Sequence, residues 1–266
     1  MPAGDLRVTR DASAGAWIAS RLRGEFGAVT LQVPSGFAAY ARICHPASDA
    51  HENPVSWPDV ASATGRTAHR LMQWHAIVGS PDPLNFTDSR WPGEAPERGN
   101  LAPDALQALC GLLAAHTAEE MECFFGLWMG WGWVHGGGIR FTFHSFIDRE
   151  NSTTTPEPIP PAFSADELSR PLLELPGREY LLFSGPISAA AQLGDPHGVN
   201  GFESQSPNLL WPSDRAWFLA SEIDFDSTLV GGSSELIDTI LDAPELDAWP
   251  VGPDDSLAYD ADRINR

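Results

Sequence analysis

The sequence contains no lysine. All 16 basic residues are arginine, and the 36 acidic residues that oppose them give a net charge of −20. A surface with this charge repels phosphate backbones, so we expect no direct binding to nucleic acid. The acidic excess is uneven, since residues 213–266 contain 13 Asp and Glu but three Arg, a balance of −10. Such a region suits a basic protein partner, or it serves solubility alone.

Cysteine and long apolar runs are also scarce. The three cysteines, Cys44, Cys110 and Cys123, are an odd number without CxxC spacing, which predicts free thiols in a reducing, cytoplasmic compartment. The longest uncharged run, residues 123–139, contains six glycines and is too short to span a bilayer. The first residues have no apolar signal segment. We therefore expect a soluble protein without membrane association.

Hydrophobic residues make up 42% of the chain, with 10 Trp and 13 Phe, which is enough for a folded core. Helical spacing occurs at 14–23, 56–65, 69–79, 103–117, 186–193 and 234–241. Strand-like patterns occur at 28–33, 37–43, 122–131, 139–147, 179–184 and 215–228, and a turn at 34–36 predicts a hairpin of the first two. This irregular order predicts an α+β fold, a mixed or antiparallel sheet with flanking helices.

The domain organisation depends on the proline-rich segment 149–163, which has no periodicity and is predicted to be a linker or a long loop. We expect one domain over residues 1–266. The alternative is two lobes, 1–148 and 164–266, joined by this segment.

The segment EIDFD has carboxylates at every second position: Glu222, Asp224 and Asp226. On a strand over 215–228 all three would share one face, with neighbouring Cα atoms about 6.5–7 Å apart. Their repulsion, about 2.5 kcal/mol per pair at an effective dielectric constant of 20, excludes a buried, unpaired row. The row must therefore be hydrated, be matched by arginine, or hold a cation.

A calcium site is the most specific of these alternatives. The run from Asp224 has suitable residues at positions 1, 3, 5 and 12 of an EF-hand loop, but position 6, which should be glycine, is Leu229. The segment is also strand-like rather than helical before this loop. We therefore predict no metal and no cofactor, and a carboxylate row that is hydrated or matched by arginine. Arg140 and Arg215 are the candidate partners by strand adjacency.

Two histidines are candidates for lining a pocket: His135, which precedes three glycines, and His144, which lies on a predicted strand. The segment GWGWVHGGG (130–138) does not match GxGxxG and is predicted to be a strand followed by a hairpin loop. GxSxG, HExxH and kinase motifs are absent from the sequence. An enzyme hypothesis therefore depends on these histidines and the EIDFD carboxylates, as in a metal-assisted hydrolase.

Three segments, ICHPA (43–47), MQWHAI (72–77) and SPNLLWPSDRAWFLASEIDFDSTLVGG (206–232), resemble an uncharacterised family of acidic bacterial proteins. The resemblance implies no activity, cofactor or catalytic residue. Our first interpretation is a protein-binding module, of an immunity, antitoxin-like or regulatory kind, whose acidic C-terminal region meets a basic partner. The enzyme remains the alternative. The candidate binding residues are Glu222, Asp224, Asp226, His135, His144 and Arg215.

Overall fold

The computed structural model describes residues 5–84, 86, 89–143, 154–198 and 201–265. In these ranges the α-helices are α1 (Ala16–Ala19), α2 (Val29–Gln32), α3 (Trp57–Thr64), α4 (Trp74–Ile77), α5 (Pro103–Ala115), α6 (Gly132–His135), α7 (Ala165–Leu168) and α8 (Ser234–Leu241). Two 3-10 helices cover Ser13–Gly15 and Ile187–Gln192. None of the helices in the described ranges has the length and apolar character that crossing a membrane requires.

The strands are short and numerous. They are β1 (Arg7–Val8), β2 (Ala39–Cys44), β3 (Ala47–Ser48), β4 (Pro54–Val55), β5 (Cys123–Trp128), β6 (Ile139–Phe143), β7 (Thr154–Pro158), β8 (Leu173–Leu175), β9 (Arg178–Gly185), β10 (Gly194–Asp195), β11 (Glu203–Ser204), β12 (Leu209–Pro212), β13 (Phe218–Ser221), β14 (Ser227–Gly232) and β15 (Ala248–Val251).

Nine of these strands form one open antiparallel sheet, in the order β1-β9-β5-β12-β13-β14-β2-β15, with β8 also paired to β9. With helices against this sheet, the predicted α+β fold is confirmed, and the sheet is antiparallel rather than mixed. Strands from before and after segment 149–163 alternate in it. Both parts of the chain, before and after this segment, therefore contribute strands to the same sheet.

One face of the sheet is covered by α5, α8 and the 3-10 helix at 187–192. Pro103 suits the first turn of α5, where its missing N–H has no helical partner, and the buried Leu106, Leu109 and Leu113 follow at helical spacing. Ser233 starts α8 by accepting a hydrogen bond from the Leu236 backbone N–H at 3.2 Å. These contacts confirm the helices predicted at 103–117 and 234–241.

The opposite face of the sheet packs against the N-terminal segment, including α1 and α2. Trp17 meets Phe218 edge to face at 5.7 Å between ring centroids. Segment 28–33 was predicted to be a strand in a hairpin, but it contains α2, so this prediction is wrong. Val29 and Val33 are four residues apart and both fully buried, a spacing that serves a helix packed on a sheet.

Two further predictions fail in the middle of the chain. Segment 130–138 contains α6 rather than a strand and a hairpin loop. The described part of the predicted proline-rich linker contains β7, which pairs with β6 in a separate two-stranded sheet. The helix predicted at 56–65 is confirmed as α3, which is capped by the Ser56 side chain and ends at Gly65 in the left-handed conformation, φ 72°.

Candidate functional site

The EIDFD segment forms the turn of a β-hairpin. It joins β13 to β14, whose facing residues Ser221 and Thr228 are paired, and Phe225 N–H donates to the Glu222 carbonyl at 3.0 Å. A single strand over 215–228 is therefore wrong. On this turn Asp226 points to a different partner from Glu222 and Asp224, so the predicted single row of three carboxylates does not exist.

The three carboxylates bind two different arginines. Arg178 donates through Nη2 to Glu222 Oε1 and to Asp224 Oδ2, both at 2.6 Å. Asp226 Oδ1 lies 3.5 Å from Nη2 of Arg42, whose side chain is 1% exposed. The predicted match with arginine is confirmed, by Arg178 and Arg42. Of the two arginines named from strand adjacency, Arg215 forms no ion pair with these carboxylates in the described ranges, and the side chain of Arg140 lies outside them.

The ion pair of Asp226 with Arg42 lies inside the fold. Arg42 also donates to the Met72 carbonyl at 2.7 Å and to Ser227 Oγ at 3.1 Å, and its guanidinium lies 5.0 Å from the Trp57 ring centroid. Burial raises the pKa of Asp226, and the nearby Arg42 acts in the opposite direction. This pair holds β2, β14 and the segment before α4 together, which is a structural role.

The other candidate residues are dispersed. Arg215, with φ 60°, lies with its guanidinium 5.2 Å from the Trp17 ring centroid. His135 is exposed, and its Nε2 lies 2.7 Å from the Met129 carbonyl oxygen. His144 and the Arg140 side chain lie outside the described residues. Within the described ranges, no three His, Cys, Asp or Glu side chains converge as a metal site would require.

A cleft lies between the N-terminal segment and the sheet, and Glu222 and Arg178 are part of its wall. Its volume is about 150 Å³. Apolar and aromatic groups form most of the surface, and His135 does not line it. The lining residues most relevant to binding are Leu31, Gln32, Arg178, Tyr180, Glu222 and Phe225. Apolar clefts with a few polar groups are the usual form of small-molecule sites.

Gln32 is the unusual polar group of this cleft. Its Nε2 and Oε1 are both buried and have no hydrogen-bond partner among the described residues. By contrast, Asn208 in the same cleft accepts from Trp128 N–H at 2.9 Å and donates to the Ser221 carbonyl at 3.0 Å. An unsatisfied buried polar group costs about 1–3 kcal/mol. No hydrogen bond within the described residues therefore explains why this buried side chain is polar.

A second surface, which we call the acidic layer, is the solvent side of α5 and α8 with the loops next to them. Its exposed acidic residues are Asp104, Glu119, Glu120, Glu122, Glu235, Asp238, Asp242 and Glu245. The segments that form it contain no arginine, since the sequence has none at 99–139 or at 216–262. The acidic layer therefore has charge of one sign.

Part of this charge opposes helix stability. Asp238 lies in the second half of α8 and Asp242 is its C-cap residue, and the last turn contains no basic residue. The C-terminal end of a helix carries partial negative charge and favours cations. Like charges four residues apart add about 0.2–0.5 kcal/mol of repulsion. Stability of α8 alone does not explain these two carboxylates.

Within the acidic layer, α5 also presents small uncharged residues to solvent. Gly111 is exposed in the middle of the helix, and a Cβ placed there would contact nothing within 4 Å. Glycine inside a helix costs about 1 kcal/mol relative to alanine. Ala114 and Ala115, which are also exposed, extend the same smooth surface. Nothing in the described part of the chain requires glycine at this position.

Sequence reasoning missed three of these residues. Arg178 follows a turn glycine, and nothing in the sequence around a single arginine on a turn indicates which carboxylates it will bind. Gly111 sits in an Ala- and Leu-rich helix, where its exposed position depends on the sheet below. Gln32 did leave a signal, because it is the one side-chain amide in the mainly apolar segment AVTLQV.

Comparison with protein-family models, with curated proteins and with solved structures found no match for this chain. The resemblance to acidic bacterial proteins therefore stays a prediction.

Proposed function

We propose that the protein is a protein-binding module that recruits a basic partner through the acidic layer. The observation that carries the proposal is Gly111, an exposed helical glycine that no contact within the described chain requires. Glycine on a helix surface lets another backbone or a bulky side chain approach closely. Such an approach would offset the helix propensity that the chain forgoes at this residue.

The charges of α8 support the same surface. Asp238 and Asp242 are unfavourable for the free helix, but a cationic partner surface would turn their repulsion into attraction. A layer without arginine also produces a field of one sign, which accelerates encounter with a basic protein and depends strongly on salt. A partner that fits this surface has an apolar group to place against Gly111, Ala114 and Ala115 of α5. Arg or Lys side chains beside that group would face the carboxylates of α8.

The test compares two variants with the same change in net charge. The layer variant replaces Glu235, Asp238, Asp242 and Glu245 by the corresponding amides. The control variant replaces four exposed glutamates away from this layer by glutamine: Glu94, Glu174, Glu179 and Glu203. Each is used as bait in the cell that makes the protein, and the captured partner is then purified for binding measurements.

We expect the layer variant to lose the partner and the control variant to keep it. With the purified partner, the association rate should be lower for the layer variant than for wild type, and it should fall as the salt concentration rises. The Gly111→Leu variant should dissociate faster, because the leucine side chain would obstruct close approach to α5. Equal loss in both charge variants would mean that net charge alone acts. Binding that ignores salt, or that survives in the layer variant, would contradict the proposal.

A further inference from the structure

The cleft between the N-terminal segment and the sheet has two oxygen atoms that the fold leaves unused. The Tyr180 hydroxyl makes no hydrogen bond in the described ranges, although the residue is 5% exposed. Glu222 Oε2 also makes none, since both contacts of this carboxylate with Arg178 use Oε1. Both residues line the cleft, and neither oxygen is among the fully enclosed polar atoms without a partner, so both stay accessible, unlike the amide of Gln32.

The Tyr180 side chain points from β9 towards this cleft. Its ring belongs to the apolar cluster that includes Leu182 and Phe225, on the sheet face that the N-terminal segment covers. Burial raises the pKa of Tyr180, and the nearby Glu222 carboxylate adds to this effect while Arg178 opposes it. The hydroxyl therefore stays protonated at neutral pH and lies close to the charged edge of the cleft.

The charges at this edge favour a cation. Among the described residues that line the cleft, Arg178 has the one cationic side chain, and it binds both Glu222 and Asp224. These three groups have a formal excess of one negative charge, on a protein with a net charge of −20. An anionic ligand would have to displace a carboxylate from Arg178, whereas an ammonium group supplies the missing positive charge.

We propose that this cleft binds a small aromatic amine in its ammonium form, with the ring among the apolar side chains and the ammonium group at Glu222 Oε2 and the Tyr180 hydroxyl. An ammonium group has three N–H donors, so it can donate to each of these oxygens and still donate to water. Hydrogen bonds between charged groups are roughly twice as strong as neutral ones, which makes the carboxylate the main contact. The ion pairs of Arg178 remain in place.

The apolar walls set the size of this ligand. The cleft volume of about 150 Å³ equals that of an apolar cavity known to bind benzene, so it holds one six-membered ring with a short substituent. Leu31 and Leu209 provide aliphatic surfaces, and Phe225 provides an aromatic one. Phe26, 62% exposed, stacks on Phe225 with ring centroids 5.3 Å apart and extends the aromatic surface outward.

The binding test uses four probes with the full chain in about 0.15 M salt, which screens the general attraction of the acidic protein for cations. Benzylamine has both the ring and the ammonium group. Benzyl alcohol keeps the ring without the charge, benzoate reverses the charge, and methylammonium lacks the ring. Dissociation constants are measured by calorimetry or by ligand-observed NMR. We expect benzylamine to bind about tenfold or more tightly than each of the other three.

Three variants locate the ammonium group. Glu222→Gln and Asp224→Asn each remove one negative charge and one contact with Arg178, but of the two residues it is Glu222 that lines the cleft. We expect Glu222→Gln to weaken benzylamine binding about tenfold or more, and the matched Asp224→Asn about twofold at most. Tyr180→Phe, which removes the hydroxyl alone, should weaken it about threefold or more.

Several results would overturn the proposal. Benzyl alcohol or benzoate binding as tightly as benzylamine would show that the cleft does not select the ammonium group. Methylammonium binding as tightly would mean that the acidic surface alone attracts the cation. Equal loss in the Glu222 and Asp224 variants, or no measurable binding of benzylamine to wild type, would also contradict it. The wild-type probe series decides alone if the variants do not fold.

Discussion

Replacing His45 by glutamine should change how the free energy of unfolding depends on pH. His45 is fully buried, its Nδ1 lies 2.6 Å from the Glu97 carbonyl oxygen, and its Nε2 lies 2.9 Å from Thr228 Oγ1. A carbonyl only accepts, so Nδ1 carries the proton. Nε2 then accepts from the Thr228 hydroxyl, which lies 2.6 Å from Ser221 Oγ. A second proton on the ring would turn Nε2 into a donor, so that the Thr228 hydroxyl could no longer donate to it, and would place a charge in a fully buried site.

The magnitude follows from the pKa. Burial lowers the pKa of His45 from 6.5 to about 4, with Arg42 adding to the effect and the Glu97 carbonyl opposing it. As pH falls, the unfolded chain therefore binds the proton first. The stabilising contribution of His45 is complete above pH 6.5 and is lost progressively down to about pH 4. At 1.36 kcal/mol per pKa unit, the total is about 3 kcal/mol.

The assay is urea unfolding of wild type and His45→Gln between pH 7.5 and pH 4. Glutamine keeps one donor and one acceptor but does not titrate. We expect the stability advantage of wild type to shrink by about 3 kcal/mol across this range. An advantage that stays constant with pH would refute the reasoning. Should the variant not fold, ¹⁵N NMR of wild type decides, because a His45 ring that becomes charged near pH 6 would contradict a buried neutral imidazole.

The remaining predictions concern thiols and glycines. Burial raises the pKa of Cys110 and of Cys123 to about 12 and raises that of Cys44 as well, so a thiol reagent should react slowly with the native protein and find three thiols after unfolding. A single thiol with a mass deficit of about 2 Da, the two hydrogens lost in a disulfide, would contradict this. Gly111→Ala should raise the melting temperature by about 2–4 °C, since it recovers about 1 kcal/mol of helix propensity. Gly65→Ala is the matched control and should lower it, because Gly65 has φ 72°. A lower melting temperature for Gly111→Ala would mean that the fold itself needs this glycine.

Local signals explain which parts of the fold could be predicted. Helices α3, α5 and α8 have distinct beginnings, in Ser56, Pro103 and Ser233, followed by buried residues at helical spacing. Segment 28–33 has no such signal, because its β-branched residues favour a strand while its burial has helical spacing. The EIDFD turn was missed because it contains no glycine or proline, and its aspartates, which also favour turns, continue the alternating pattern of β13.

The candidate site was predicted only in part, because its contacts are long-range. The sequence showed that Glu222, Asp224 and Asp226 cannot be buried without compensation, and arginine supplies it. The sequence could not predict which arginine does so. Arg178 is brought close to the turn by the pairing of β9 with β5 and of β5 with β12, and these pairings join distant parts of the chain. The orphaned amide of Gln32 depends in the same way on packing between α2 and the sheet.

The position of β2 in the sheet has a consequence for biosynthesis. This buried strand lies between β14 and β15, so both of its hydrogen-bonding neighbours belong to residues 227–251. A ribosome exposes β2 early, and the strand then waits for most of the chain before it can pair. Contacts this distant slow folding and leave apolar strand edges open to other chains. Nascent chains that stop before residue 227 should therefore aggregate or bind chaperones, and synthesis of β14 and β15 should release them.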